Sequence, residues 1–189
     1  MEQPTPDVAD WTWVLDRPCP ECGYVATDFD RTELGGKIRA NAASWRQLLG
    51  MGDIVAVRPP VPAGASPVWS ALEYGAHVRD VQQLYRERFE LMLKTDGAAF
   101  ANWDQDKTAI ESGYHRDDPA AVAYALAVKA GQLADLLDRL NAEEWERTGH
   151  RSDGASFTVE SMGRYLLHDV VHHVWDVRKG YEAITAEST

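Results

Sequence analysis

The chain has 189 residues, of which 44% are hydrophobic, and its formal net charge is −11. This length fits one globular domain with a sizeable core, and the composition excludes a disordered chain. The negative charge disfavours nucleic acid and anionic membrane surfaces as partners, because both attract basic patches.

Nothing in the sequence indicates export or membrane insertion. No apolar run approaches the length that a bilayer span needs, and the first ten residues show no signal peptide. The only two cysteines lie in one CxxC motif, so a secreted disulfide scaffold is not indicated. We therefore expect a cytoplasmic protein.

The first third of the chain predicts an irregular arm followed by a helix. Residues 1–30 are rich in proline and tryptophan and form the predicted arm. Apolar residues at helical spacing predict the first helix over about 31–49, where Gly50 stops it. A long amphipathic second helix is predicted to begin near Pro67, with Ser66 as its N-cap.

Three further segments complete the predicted bundle. Residues 95–118 read as a long loop, of a length that is often functional. A third helix is predicted over 119–140, and a fourth over 159–179 that ends at Gly180 and leaves 181–189 as a tail. With no strand pattern visible, the sequence predicts an all-α four-helix bundle over 31–180, with two long connections.

Three histidines suggest a metal site. In "YLLHDVVHHVWDV", His168 and His172 are one turn apart on one helix face, while His173 is rotated by about 100° and is predicted to point elsewhere. From spacing alone, packed histidines and metal ligands are equally consistent with this pair. Because no HExxH motif is present, we exclude a zinc protease and look for a third ligand on another helix. His77, among apolar residues of the second helix, is the candidate.

The histidine pattern resembles a known family. Trp69 near the start of the second helix, His77 within it and HxxxH in the last helix resemble the DinB/YfiT-like metalloenzyme superfamily, over roughly residues 31–180. The resemblance implies an up-down-down-up bundle, often a homodimer, with a divalent metal, Zn²⁺ or Ni²⁺, on His77, His168 and His172. Relatives include enzymes similar to mycothiol-dependent maleylpyruvate isomerase and to bacillithiol transferases, in which the metal activates a small thiol.

Other chemical groups have two interpretations each. Asp80, Asp169 and Asp176 are weak candidates for acid–base catalysis or for orienting an imidazole, and each could instead form an ordinary ion pair. Arg147 and Arg151 could bind the carboxylates of a thiol cofactor or an acidic substrate, or pair with the protein's own acids.

Two further segments lie outside the family's general pattern. Cys19 and Cys22 resemble one knuckle of a zinc ribbon without its second pair. They could recruit a histidine, pair across a dimer or act as a redox dithiol, but we favour two reduced cysteines in a turn with Gly23. The segment "NWDQD", residues 102–106, could fold over the mouth of the bundle, or form a solvated loop.

Three functions follow as hypotheses. The first is a metal-dependent transferase or isomerase that acts on a small electrophilic substrate through a small thiol such as mycothiol. The second is a metal-dependent hydrolase, and the third is a non-catalytic binding or stress-response module with a structural metal. An open coordination position would separate the two enzymes from the module.

Overall fold

Six α-helices and a small sheet make up the structure, a computed structural model that describes residues 11–63, 65 and 67–187. The helices are α1 (Leu34–Leu48), α2 (Ala71–Lys94), α3 (Gln105–Ser112), α4 (Pro119–Leu137), α5 (Ala142–Trp145) and α6 (Val159–Glu187). Short 3₁₀ helices lie at Trp11–Leu15, Ala26–Asp28, Arg31–Glu33, Gly52–Ala56 and Tyr114–Arg116. The predicted all-α four-helix bundle is confirmed, and α1, α2, α4 and α6 are its helices.

The bundle helices are not packed in chain order. α4 packs closely against α1 and α2, and α6 packs against the same two helices, so the order around the bundle is α1, α4, α2, α6. Apolar side chains from all four helices form one buried core, which includes Ile38, Trp45, Val81, Phe89, Leu126, Leu133, Leu166 and Val170. This arrangement brings the middle of α2 beside α6.

A buried asparagine joins α1 to α6 within this core. Asn41 donates to the Val170 carbonyl at 2.7 Å and accepts from the Trp45 indole at 3.1 Å. Both ends of its amide are thereby bonded, as a buried polar group requires.

α4 corrects one expectation from the sequence. By length and composition it is the one helix in the described part of the chain that could cross a membrane. The statement that no such run exists was therefore wrong for this segment. Part of this composition follows from packing, because Leu126, Ala130 and Leu133 are completely buried against the other helices, although only 33% of the apolar window is buried.

α2 begins later than predicted. Ser70 caps it through a capping box, in which Ser70 accepts from the backbone of Glu73 and the Glu73 carboxylate accepts from the backbone of Ser70. Arg58 adds two hydrogen bonds to the same carboxylate, at 2.9 and 2.5 Å. The prediction of a start near Pro67 was wrong because it overlooked this S-x-x-E signal; Ser66 lies outside the described residues.

The long connections contain strands that were not predicted. β1 (Ala98–Phe100) pairs in parallel with β2 (Thr148–Arg151), which pairs antiparallel with β3 (Ser156–Thr158). Strands of three or four residues are too short to show an alternating pattern. The residues 95–118 also contain α3 rather than a plain loop.

α6 is longer than predicted. It passes through Gly180 and ends at Glu187, so the predicted end at Gly180 was wrong and residues 181–187 are not a separate tail. The Tyr181 hydroxyl donates to the Leu48 carbonyl at 2.7 Å, which fixes this part of α6 to the end of α1. Tertiary packing therefore overrides the stop signal that glycine provides.

The described part of the arm is attached to α6. The 3₁₀ helices at Trp11–Leu15 and Ala26–Asp28 both pack on α6, and Val14 is fully buried. The Tyr24 hydroxyl donates to the Arg164 carbonyl at 2.9 Å. Cys19 and Cys22 are thereby held next to the histidines of α6.

Candidate metal centre

A cavity of about 780 Å³ opens between α2, α6, the arm and the segment 102–106. Its volume is in the usual range for sites that bind small molecules. Histidines of α2 and α6 and carboxylates of α6 line it, and its lining also includes two arginines, Arg88 and Arg151, with Tyr85 and Tyr165.

The first cluster of potential metal ligands in this cavity consists of His77, Asp169 and His173, which we call the cavity triad. One ligand atom from each residue lies within 4.8 Å of the other two. The rings of His77 and His173 meet edge to face with centroids 4.8 Å apart, and His173 Nε2 lies 3.3 Å from Asp169 Oδ1. Two imidazoles and one carboxylate are a ligand set typical of catalytic metals, since an open position remains.

His77 supplies the strongest sign that a cation belongs here. It is 1% exposed, and neither of its ring nitrogens has a hydrogen-bond partner among the described residues. Trp103 stacks on one side at 5.2 Å between ring centroids, and Trp69 contacts the ring at the same distance. Because buried nitrogens are seldom left unpaired, the donor set fits a divalent cation that would occupy one of them.

The protonation of the cavity triad is unequal. Burial, aided by His173, lowers the pKa of His77 to about 3, so its imidazole is neutral and able to act as a ligand. Burial also disfavours a charged His173, but Asp169 and Asp176 outweigh burial and raise its pKa to about 10. A cation bound at the cavity triad would therefore replace a proton on His173.

The second cluster lies beside the first and consists of Cys19, Cys22, His168 and His172, which we call the cysteine–histidine cluster. Their four ligand atoms also lie within 4.8 Å of one another. Cys19 Sγ is 3.6 Å from His172 Nδ1, and both cysteines are free thiols. Burial, aided by His172, lowers the pKa of His168 to about 4, which keeps its imidazole neutral.

Asp176 connects the two clusters. One carboxylate oxygen lies 2.9 Å from Nδ1 of His173, and the other lies 3.6 Å from Nε2 of His172. In each histidine this leaves the other ring nitrogen for its own cluster. A carboxylate on the far nitrogen is the usual way in which proteins orient a metal-binding histidine.

Comparison with known proteins identifies the family. A family model of the DinB superfamily matches residues 7–177. The chain belongs to the DinB superfamily. No curated protein matches it.

Solved structures show the same fold as this DinB protein. YfiT from Bacillus subtilis, described as a probable metal-dependent hydrolase with an unusual four-helix bundle topology, is 18% identical, with a TM-score of 0.66 over 79% of this chain and 86% of that one. The mycothiol-dependent maleylpyruvate isomerase is 11% identical, with a TM-score of 0.63 over 82% of this chain. The DinB chain spans 63% of that isomerase. At these identities the likeness concerns the fold alone.

The three histidines that were predicted to bind one metal, His77, His168 and His172, lie in two different clusters in the structure. His168 and His172 do lie side by side, with ring centroids 5.1 Å apart. His77 instead lies in the cavity triad, with His173, which was expected to point elsewhere. The sequence did carry a signal for this pairing, because Asp169 and His173 are also four residues apart and so share a helix face just as His168 and His172 do.

The three candidate carboxylates also differ in whether they line the cavity. Asp169 and Asp176 line the cavity, as described above. Asp80 instead forms ion pairs with Arg79 at 2.8 Å and Lys129 at 3.4 Å, and accepts from the Tyr114 hydroxyl at 2.8 Å. Asp80 thus has the structural role that was its alternative interpretation.

The arginine candidates differ in the same way. Arg151 lines the cavity, with its Nε paired to Asp153 at 2.8 Å. Arg147 is not among the lining residues, and donates to the Leu93 carbonyl near the end of α2. Arg88, which was not predicted as a site residue, is 6% exposed and reaches the same cavity from α2. Its position one turn from Leu84 and Tyr85 was the available signal.

The segment 102–106 covers the cavity, as one of its two interpretations predicted. All five of its residues line the cavity. Trp103 is fixed over His77 by a 2.8 Å hydrogen bond from its indole to the Thr108 hydroxyl on α3. Asp104 is the N-cap of α3, so its carboxylate is already engaged with the backbone of Lys107.

Proposed function

We propose that this protein is a divalent-metal-dependent enzyme that uses a small thiol to transfer or isomerise a small electrophilic substrate. The observation that carries the proposal is His77, a buried imidazole in a cavity, with both nitrogens unpartnered among the described residues and two further ligands within 4.8 Å. Membership of the DinB superfamily and the dependence of the isomerase on mycothiol support the reaction class.

We assign the metal to the cavity triad rather than to the set His77, His168 and His172 that the resemblance implied. The support is the convergence of His77 with Asp169 and His173. In this assignment Asp176 holds Nδ1 of His173, which leaves Nε2 directed toward Asp169. A bound divalent cation would supply a positive charge that stabilises the anionic form of a nucleophile at neutral pH. Zn²⁺ and Ni²⁺ are the ions that we expect.

The rest of the cavity favours a substrate or thiol with an anionic end. Arg88 is buried. It donates to the Ala101 carbonyl at 2.9 Å and lies over the rings of Tyr85 and Phe100, but it has no ion pair within the described part of the chain. Burial lowers the pKa of Arg88, which reflects the cost of holding its charge there. A carboxylate or phosphate on Arg88 and Arg151 would offset this cost.

The positions of these groups suggest an elongated ligand. His77 and Arg88 are eleven residues apart on α2, a rise of about 16 Å along the helix. A ligand that contacts both ends would lie along α2 beneath the segment 102–106. We infer that Trp103 and its neighbours exclude water from this path.

The activity can be tested with the metal-loaded protein. Loss of maleylpyruvate and of a chromogenic aryl halide is measured with mycothiol, bacillithiol, glutathione or no thiol. We expect thiol-dependent loss that falls to the uncatalysed rate in His77→Ala and is retained in His115→Ala, an exposed histidine outside both clusters. Metal-loaded protein that is inactive with every thiol would contradict the proposal.

Hydrolysis is the second candidate. It is favoured by the three-ligand composition of the cavity triad, which leaves a position for water, and by the description of YfiT as a probable metal-dependent hydrolase. Turnover of esters or amides without thiol, sensitive to His77→Ala, would select it. A metal that exchanges no ligand with solvent would instead indicate the non-catalytic module.

The proposal also covers the location, the partners and the oligomeric state of the protein. We expect it to act in the cytoplasm, where small thiols are reduced, without nucleic acid or membrane partners. The homodimer implied by the resemblance stays a prediction, which sedimentation of the purified protein can test.

A further inference from the structure

The N-terminal arm reaches the histidines of α6 through its CxxC motif, which the proposed reaction does not use. We propose that Cys19, Cys22, His168 and His172 form a second, closed metal site that binds structural Zn²⁺ and fixes the arm to the bundle. This site is separate from the cavity triad, and it does not depend on the proposed function.

The ligand types and their spacing fit zinc. Two thiols and two imidazoles are a complete set for a tetrahedral structural site, with no position left for substrate. Bond lengths of about 2.3 Å to sulfur and 2.0 Å to nitrogen at a tetrahedral angle give a sulfur–nitrogen separation of about 3.5 Å. Cys19 Sγ and His172 Nδ1 are 3.6 Å apart.

The burial of the ligands and an unpaired ring nitrogen also support a zinc site. Cys19 is 2% exposed and His168 is 3% exposed, and His168 Nε2 has no hydrogen-bond partner within the described ranges. Nε2 of His172 faces carboxylates instead, Glu21 at 3.4 Å and Asp176 at 3.6 Å. A ligand nitrogen toward the cation and a carboxylate on the opposite nitrogen is the usual arrangement around bound zinc.

The backbone holds the two cysteines as a metal-binding turn requires. The Gly23 amide donates to the Cys19 carbonyl at 3.0 Å, and the Cys19 amide donates to the Tyr24 carbonyl at 2.9 Å. Gly23 has φ +74°, a backbone conformation that residues with a side chain rarely adopt. This tight turn brings both thiols to one side, and α6 supplies the two histidines one turn apart.

A closed site here would explain how a mostly irregular arm stays in place. Aromatic residues of the arm cover the two histidines, with the Trp11 ring 5.7 Å from His168 and 5.2 Å from His172. Trp11 and Glu21 also line the cavity. Zinc in the cysteine–histidine cluster would therefore shape one wall of the cavity without taking part in the reaction.

The test compares the intact chain with two variants. Zinc content and Co²⁺ absorption are measured for wild type, for Cys19→Ser with Cys22→Ser, and for His77→Ala. We expect wild type to bind two metal equivalents per chain and, with Co²⁺, to show a thiolate-to-cobalt charge-transfer band. The double cysteine variant should bind one equivalent fewer and should lack the band. His77→Ala should lose the other equivalent and keep the band.

A readout on wild type covers the case in which the double variant fails to fold. The two thiols should resist Ellman's reagent in zinc-loaded protein and react after chelation. A cobalt-loaded wild type without the charge-transfer band, or thiols that react equally with and without zinc, would overturn the second site. Neither result would bear on activity at the cavity triad.

Discussion

The carboxylate of Asp176 lies 2.9 Å from Nδ1 of His173. Its other oxygen faces His172, so one side chain supports adjacent histidines that belong to different clusters. Two neighbouring histidines can serve two centres because successive residues of a helix point about 100° apart. Asp176 therefore lies next to one histidine of each cluster.

The first prediction concerns this carboxylate. Asp176→Asn should weaken metal binding by about 10- to 100-fold, because the amide orients and polarises the imidazoles less well. Competition against a chromogenic chelator measures the affinity. Glu182→Gln, an exposed change on the same helix, is the control and should bind as wild type does. Equal affinity in both variants would show that Asp176 does not support metal binding by either histidine.

The second prediction concerns the anionic end of the cavity. Arg88→Met should raise KM for an acidic substrate by roughly 10- to 100-fold, as expected for the loss of a charged hydrogen bond, with little change in kcat. Arg86→Met is the matched control, since Arg86 pairs with Glu90 on the outer side of α2. A fall in kcat at unchanged KM would argue against ground-state binding by Arg88.

The third prediction concerns acid stability at the start of α2. Burial alone would raise the pKa of Glu73, but hydrogen bonds from Arg58 and Ser70 outweigh it and hold the pKa below its usual value. The stabilisation is therefore present above the unfolded-state pKa of about 4.3, and is lost as the pH falls through the folded-state pKa.

Glu73→Gln tests this relation directly. The variant should lose about 3 kcal/mol in free energy of unfolding at neutral pH, because it removes the buried carboxylate that pairs with Arg58. The difference in free energy of unfolding between wild type and Glu73→Gln should decrease as the pH falls. Denaturant unfolding over the acid range measures it, with Glu90→Gln as an exposed control. A gap that is constant with pH would mean that Glu73 is not charged in the folded protein.

The fourth prediction concerns a buried amide. Gln82 is fully buried in α2, and neither atom of its amide group has a hydrogen-bond partner among the residues described. Gln82→Met keeps the shape and removes the unpaired polar atoms, so it should raise the free energy of unfolding by about 1 kcal/mol. Gln83→Met, on the partly exposed side, is the control. Destabilisation by Gln82→Met would show that the amide makes an essential bond.

The bundle was predictable because its signals are periodic. Asp118 with Pro119 marks the start of α4, and the apolar repeat of α1 locates that helix to within a few residues. The short strands and the start of α2 were not predicted, because each depends on a few residues whose partners are distant in sequence. Phe100 and Arg151, for example, pair across fifty residues.

The candidate site was only half predictable for a similar reason. His168 and His172 are adjacent on a helix face, so their proximity follows from helix geometry. The same rule applies to Asp169 and His173, and spacing cannot decide which pair faces His77. That choice depends on how α2 packs on α6 and on where the arm brings Cys19 and Cys22.

The most direct test of the central claim is a crystal structure of the metal-loaded protein, with anomalous diffraction recorded at the absorption edge of the metal. We predict an anomalous peak in the cavity, bonded to His77, Asp169 and His173. A peak bonded jointly to His77, His168 and His172, or no peak at His77, would contradict the assignment.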